Sequence, residues 1–359
     1  MSAPVLPFEI RSPRLADFAF GSRQHRSAAE LPEPGSGAEM WWRAVALGGT
    51  GHYAAARIAL RRLRASTNDP VLLSLAASTE GSFRRQLGWH ARAAHDDGHA
   101  AALVLPRLPG ASAPEQRCPE LVDPTGPARH RRSGLLDGVD TEGVAGAGAE
   151  YLPPIDSGAV GFYRVPDLVD AAADALIGLA ADALGTGRLA LATRLLDRCD
   201  GLLDAALPSG STGAGTVRGR AGSAGIDRSR TFVRLHWVRA ETALAGGRAD
   251  EALAAAEIAL AWAERTPSIR HRVKSRLLVA AAAGVAGDTG RAAGLAALVE
   301  EQCRESGLVP LRWACAMLRT GLPASGAEPA AEHAHAAADA EACRALISRR
   351  GGRFRGSGR

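Results

Sequence analysis

The chain has 359 residues, of which 46% are hydrophobic but only 4% aromatic, so alanine and leucine must supply most of any core. The net charge of +5 is held by the last eleven residues, Arg349 to Arg359, which contain five arginines and no acid. The body is therefore balanced in charge, which excludes a polyanion-binding body and leaves nucleic-acid contact to the tail alone.

Along the chain, residues 1–37 carry Pro, Ser and Gly without sustained periodicity and read as a flexible arm, with Phe8, Phe18 and Phe20 as the side chains able to dock. Apolar periodicity then predicts two helical hairpins over 38–104, pairing 38–48 with 52–66 and 70–86 with 89–104. Asn68-Asp69-Pro70 stops the first pair, and Pro106 and Pro109 end the block. Residues 105–160 are rich in Pro, Gly and charge, include the run Arg129-His130-Arg131-Arg132, and read as a disordered or loop insertion. Between 165 and 322 the pattern gives 166–185 with 188–206, a flexible insertion at 207–228, then 230–246 with 249–265, 269–286 with 289–306, and a capping helix over 308–322. The last stretch, 323–359, holds a short helix between Pro329 and Ser348 and the Arg/Gly-rich tail.

A short phrase punctuates these pairs. Gly51-His52-Tyr53-Ala54-Ala55-Ala56 is echoed from Gly88 to Ala93, Gly187 to Ala192, Gly247 to Ala252 and Gly287 to Ala292. Each copy reads Gly-x-x-x-x-Ala between two helical stretches, and the spacing of the glycines is 37 and 40 residues where no insertion intervenes. Periods of this size signal stacked helical pairs, because one hairpin cannot cover its own apolar face.

These residues resemble the tetratricopeptide repeat. Its inter-helix Gly and its Ala-x3-large pattern are matched by Ala56/Leu60, Ala192/Leu196, Ala252/Ala256 and Ala292/Ala296, whereas Ala93/Asp97 departs from it. The resemblance covers 38–104 and 165–306 and implies an all-α solenoid of about five helical pairs with two long flexible insertions, acting as a scaffold for a protein or peptide partner. It further implies that the first helix of each pair lines a concave groove. Registering each turn Gly to the repeat then places Trp41, Arg85, Asp174, Arg234, Trp237, Glu241 and Lys274 on that groove. Trp and Arg are common interface anchors, but Trp41 and Trp237 serve equally well as core residues between hairpins.

No constellation asks for catalysis or for a cofactor. Gly49-x-Gly51-x-x-Ala54 and Gly185-x-Gly187-x-x-Ala190 fit the loose dinucleotide phrase, but each follows a helical stretch and not a strand. Lys274 is the only lysine and follows Val273, so no phosphate loop exists, and there is no Gly-x-Ser-x-Gly elbow. The usage of Arg for Lys is that of a GC-rich, bacterial genome. His95 and His99 are one turn apart, but Gly98 weakens that helix and position 96 is Asp, so no metal site is expected. Asp96-Asp97, Asp197/Asp200 and Glu300-Glu301 read as solvated helix faces. The five cysteines, Cys118, Cys199, Cys303, Cys315 and Cys343, stand far apart without a CxxC pair, as in a cytoplasmic protein with reduced thiols. There is no leader pattern, and Asp174 and Asp182 interrupt the most apolar run, so no membrane segment is expected. The alternative to a scaffold is a nucleic-acid-associated regulator using Arg349, Arg350, Arg353 and Arg355 of the tail together with the 129–132 run, with Phe354 free to stack on a base.

Overall fold

The computed structural model describes residues 13–25, 27–109, 164–206, 226–323 and 329–356. Most of the expected 105–160 insertion and of 207–228, and the end of the tail, lie outside the described residues. Within them the fold is all-α, with thirteen α-helices and no strand. After α1 (Pro13–Phe20) the helices come in pairs: α2 (Gly37–Gly49) with α3 (Tyr53–Ser66), α4 (Pro70–Gln86) with α5 (His90–Val104), and α6 (Leu168–Gly185) with α7 (Leu189–Ala205). The second half repeats the arrangement as α8 (Ser229–Ala245) with α9 (Ala249–Glu264), α10 (Ile269–Val285) with α11 (Thr289–Glu305), and α12 (Val309–Gly321) with α13 (Pro329–Arg349). No described helix is long and apolar enough to cross a membrane.

The recurring phrase explains the pairing. Gly51, Gly88, Gly187, Gly247 and Gly287 all have positive φ, between 72° and 91°. In each turn the glycine N–H and the next residue's N–H bond back to the last helical carbonyls, as Gly247 to Leu244 at 3.1 Å and Arg248 to Ala243 at 3.0 Å. This is the Schellman closure, which needs a left-handed residue that glycine adopts without a Cβ clash. The alanine of each phrase (Ala56, Ala93, Ala192, Ala252, Ala292) is fully buried. So is the residue one turn later, whether Leu60, Leu196, Ala256 and Ala296 or the charged Asp97. Side chains cap several first helices at their N-termini: Ser36 on α2, Asp69 on α4, Asp167 in a capping box on α6 and Ser268 on α10.

The expected capping helix and short C-terminal helix are instead a sixth pair, α12 with the 21-residue α13. Two further findings depart from the sequence reading. First, the expected arm contains α1, whose Leu15 and Ala16 are buried against α2 and α10 and whose Phe20 packs 5.5 Å from Trp41. Second, the start of the Arg/Gly tail is docked. Ala54 N–H donates to the Arg350 carbonyl at 3.0 Å and Arg57 Nη1 to the Gly351 carbonyl at 3.1 Å. Trp89 Nε1 donates to the Arg353 carbonyl at 2.7 Å, and Phe354 packs 5.1 Å from Trp313. The C-terminal pair is thereby tied to the first two hairpins, and the row of pairs returns to its own beginning.

A candidate ligand cavity on the inner helices

Because the row closes, the first helices of all six pairs face one cavity of about 520 Å³. The second helices contribute little beyond their opening residues Tyr53 and His90 and, from α13, Ile347. Phe20 of α1 also lines it.

Of the residues registered from the turn glycines, Trp41, Arg85, Arg234, Trp237, Glu241 and Lys274 line this cavity. Asp174 stands behind the wall, buried, and pairs with Arg230 at 2.6 Å and Arg234 at 3.3 Å. Trp237, Glu241 and Lys274 form one cluster: the ammonium sits 3.1 Å from the Glu241 carboxylate and 4.4 Å from the Trp237 ring centre. Both indoles also hold hairpins together. Trp41 Nε1 donates to Thr79 Oγ1 at 2.9 Å, and Trp237 Nε1 to Ser275 Oγ at 2.8 Å. Each therefore joins its own first helix to the first helix of the next pair while presenting ring surface to the cavity.

Among the lining residues that escaped the sequence reading are Arg230, Arg270 and His271. Arg230 and Arg270 stand one turn before Arg234 and Lys274 on the same helix faces, a spacing the sequence did carry. Arg230 lies 5.5 Å from the Phe20 ring centre and 5.8 Å from that of Trp41. Half-buried Arg270 donates to the Val45 carbonyl at 3.2 Å and lies 5.9 Å from the Phe20 ring centre. Burial, and then the nearby Arg234 and Arg230, bring its pKa down to about 10, still charged at neutral pH. His271 is buried between Phe20 and Trp237, and burial followed by the Arg270 charge holds it well below the ordinary imidazole range, so it is neutral.

Two of the acids, Asp97 and Glu300, correct the expectation of solvated faces, whereas Asp197 and Glu301 are exposed as expected. Asp97 is fully buried and binds Arg85 Nη1, which also reaches Asp182 Oδ1 at 3.1 Å and the Gly178 carbonyl at 3.2 Å. Burial raises the pKa of Asp97 and pushes that of Asp182 up to about 8, against the pull of the one guanidinium they share. Glu300 is likewise buried and bound by Arg304 and Arg319. His95 and His99 are exposed, on the side of α5 away from Asp97. Among the described residues no cluster of His, Cys, Asp or Glu could hold a metal ion, and Cys199, Cys303, Cys315 and Cys343 are free and buried. In the tail, Arg349, Arg353 and Arg355 are exposed, Arg350 Nη1 donates to the Thr50 carbonyl at 2.6 Å, and Phe354 is occupied by Trp313.

Helices precede both dinucleotide-like phrases, so neither has the strand that such a site requires. No protein-family model and no curated protein matches the chain.

Proposed function

We propose that the helical pairs are tetratricopeptide-like repeats of a non-catalytic binding module, and that its ligand occupies the cavity lined by their first helices. The carrying observation is the convergence of six first helices on one space of about 520 Å³, lined by indoles, guanidiniums and aliphatic side chains. That volume falls within the ~300–1,000 Å³ of small-molecule sites. An open groove for a folded partner fits less well, because the docked tail ties the last pair to the first two and Phe20 of α1 lines the inner face. The occupant is accordingly a small molecule or the end of a peptide. Its binding uses walls already held by Trp41–Thr79, Trp237–Ser275 and the Arg85–Asp97–Asp182 group, so little free energy is lost to ordering.

Titration with the paired aromatic probes 2-naphthoate and 2-naphthamide, followed by tryptophan fluorescence, tests this. At least one should bind the full chain and lose affinity in Ala314→Phe, which fills the cavity from α12 without altering charge. Binding indifferent to Ala314→Phe, or no binding of either probe, refutes the cavity reading.

A further inference from the structure

The wall formed by α8 and α10 is not neutral. Arg230 and Arg234 share the single carboxylate of Asp174. Arg270 has a carbonyl and a ring for company, and among the described residues no carboxylate pairs with it. Three guanidiniums therefore meet one carboxylate. Elsewhere the charges balance: Lys274 is matched by Glu241, and Arg85 by the carboxyls of Asp97 and Asp182. An unmatched cation away from bulk water is costly unless something pairs with it. Here two such charges stand together beside flat aromatic surface, facing a partly open cavity.

We infer that the cavity receives an organic anion, a carboxylate attached to an aromatic or similarly flat apolar body, with the carboxylate at Arg270 and Arg234 and the body against Trp41 and Trp237. This rests on the cavity reading above and gives it a ligand class. Planar guanidiniums suit a carboxylate because each can offer two parallel N–H donors, and such charge-assisted bonds are the strong ones. The indoles supply apolar area at small conformational cost. The same chemistry has two sources, a free aromatic acid or the C-terminal carboxylate of a peptide with an aromatic last residue.

The test compares acids with their amides on the full chain by calorimetry: 2-naphthoate against 2-naphthamide, and the peptide Gly-Gly-Gly-Phe as free acid against its C-terminal amide. The acid should bind tighter than the amide by about tenfold or more, the effect of one charge-assisted hydrogen bond. Arg270→Gln should abolish that preference while melting no lower than the parent chain, since it removes an unmatched charge. Arg270→Lys should keep part of the preference. Acid preference with naphthoate alone assigns a free acid, and with the peptide a chain end. Equal binding of acid and amide overturns the anion inference but leaves the cavity reading standing. Absence of all binding overturns both. A preference untouched by Arg270→Gln and Arg234→Gln also overturns the anion inference.

Discussion

Gly178→Ala should be strongly destabilising although it puts a better helix former inside α6. A Cβ at this position would lie 2.2 Å from Asp97 Oδ1 and 2.4 Å from its Cγ. Asp97 is fully buried and cannot withdraw without leaving Arg85, and a Cβ at Gly81 would already lie 2.5 Å from its other oxygen. Breaking a buried ion pair costs about 3–5 kcal/mol, and replacing a helical Gly by Ala returns about 0.5–1 kcal/mol. The net expectation is a loss of about 2–4 kcal/mol. Gly201→Ala, in α7 with nothing within 4 Å of the added Cβ, provides the contrast and should gain the propensity term of about 0.5–1 kcal/mol. Urea denaturation followed by tryptophan fluorescence reads both. In an Asp97→Ala background the cost of Gly178→Ala should fall below about 1 kcal/mol, because the colliding group is gone. The reasoning is refuted if Gly178→Ala behaves like Gly201→Ala, or if its cost survives the loss of Asp97.

Other consequences follow from the same contacts. Asp182, raised from 3.8 to about 8, keeps in the folded chain a proton that the unfolded chain releases above about pH 4. Its contribution to stability is complete at low pH and is lost as pH rises towards 8. Asp182→Asn should therefore gain on the parent chain between pH 5 and pH 8 in denaturation midpoints, and an unchanged difference across that range would refute the protonated carboxyl. Trp41→Phe removes the bond to Thr79 and should cost about 1 kcal/mol or somewhat more in urea denaturation; no loss would mean that the indole N–H does no structural work. Ending the chain at Arg349 deletes the contacts of Arg350, Gly351, Arg353 and Arg355 with the first two hairpins. At about 1 kcal/mol for each of these five hydrogen bonds, the loss should be on the order of 5 kcal/mol, with faster hydrogen exchange at the Ala54 amide. Unaltered exchange there would show that the tail does not close the array.

The parts of this fold that were legible in the sequence are those set by local rules. A left-handed turn residue after a helix is almost always glycine, so five glycines marked five hairpins and fixed the register that led to Trp41, Arg234, Trp237 and Lys274. The same register, moved back one turn, held Arg230 and Arg270. They were missed because an arginine at the start of a helix looks no different from one on a solvated face. Asp97 misled for a related reason: its burial depends on Arg85 of α4 and on the room left by Gly178 of α6, neither of which leaves a mark at position 97. Phe20 was named as able to dock, but its site, like that of Phe354, was out of reach because α1 has only eight residues and the tail has no periodicity, and their partners His271 and Trp313 belong to other helices far off in the chain. Closure of the row, which turns a groove into a cavity, is entirely such a non-local property.

Hydrogen exchange of the full chain with and without saturating 2-naphthoate tests the central claim most directly. Added protection is expected along 230–241 of α8 and 270–278 of α10, the stretches that carry the cavity wall, with little change in α9 and α11 of the same hairpins. Protection confined to the outer helices or to the C-terminal tail would contradict a ligand seated among the inner helices.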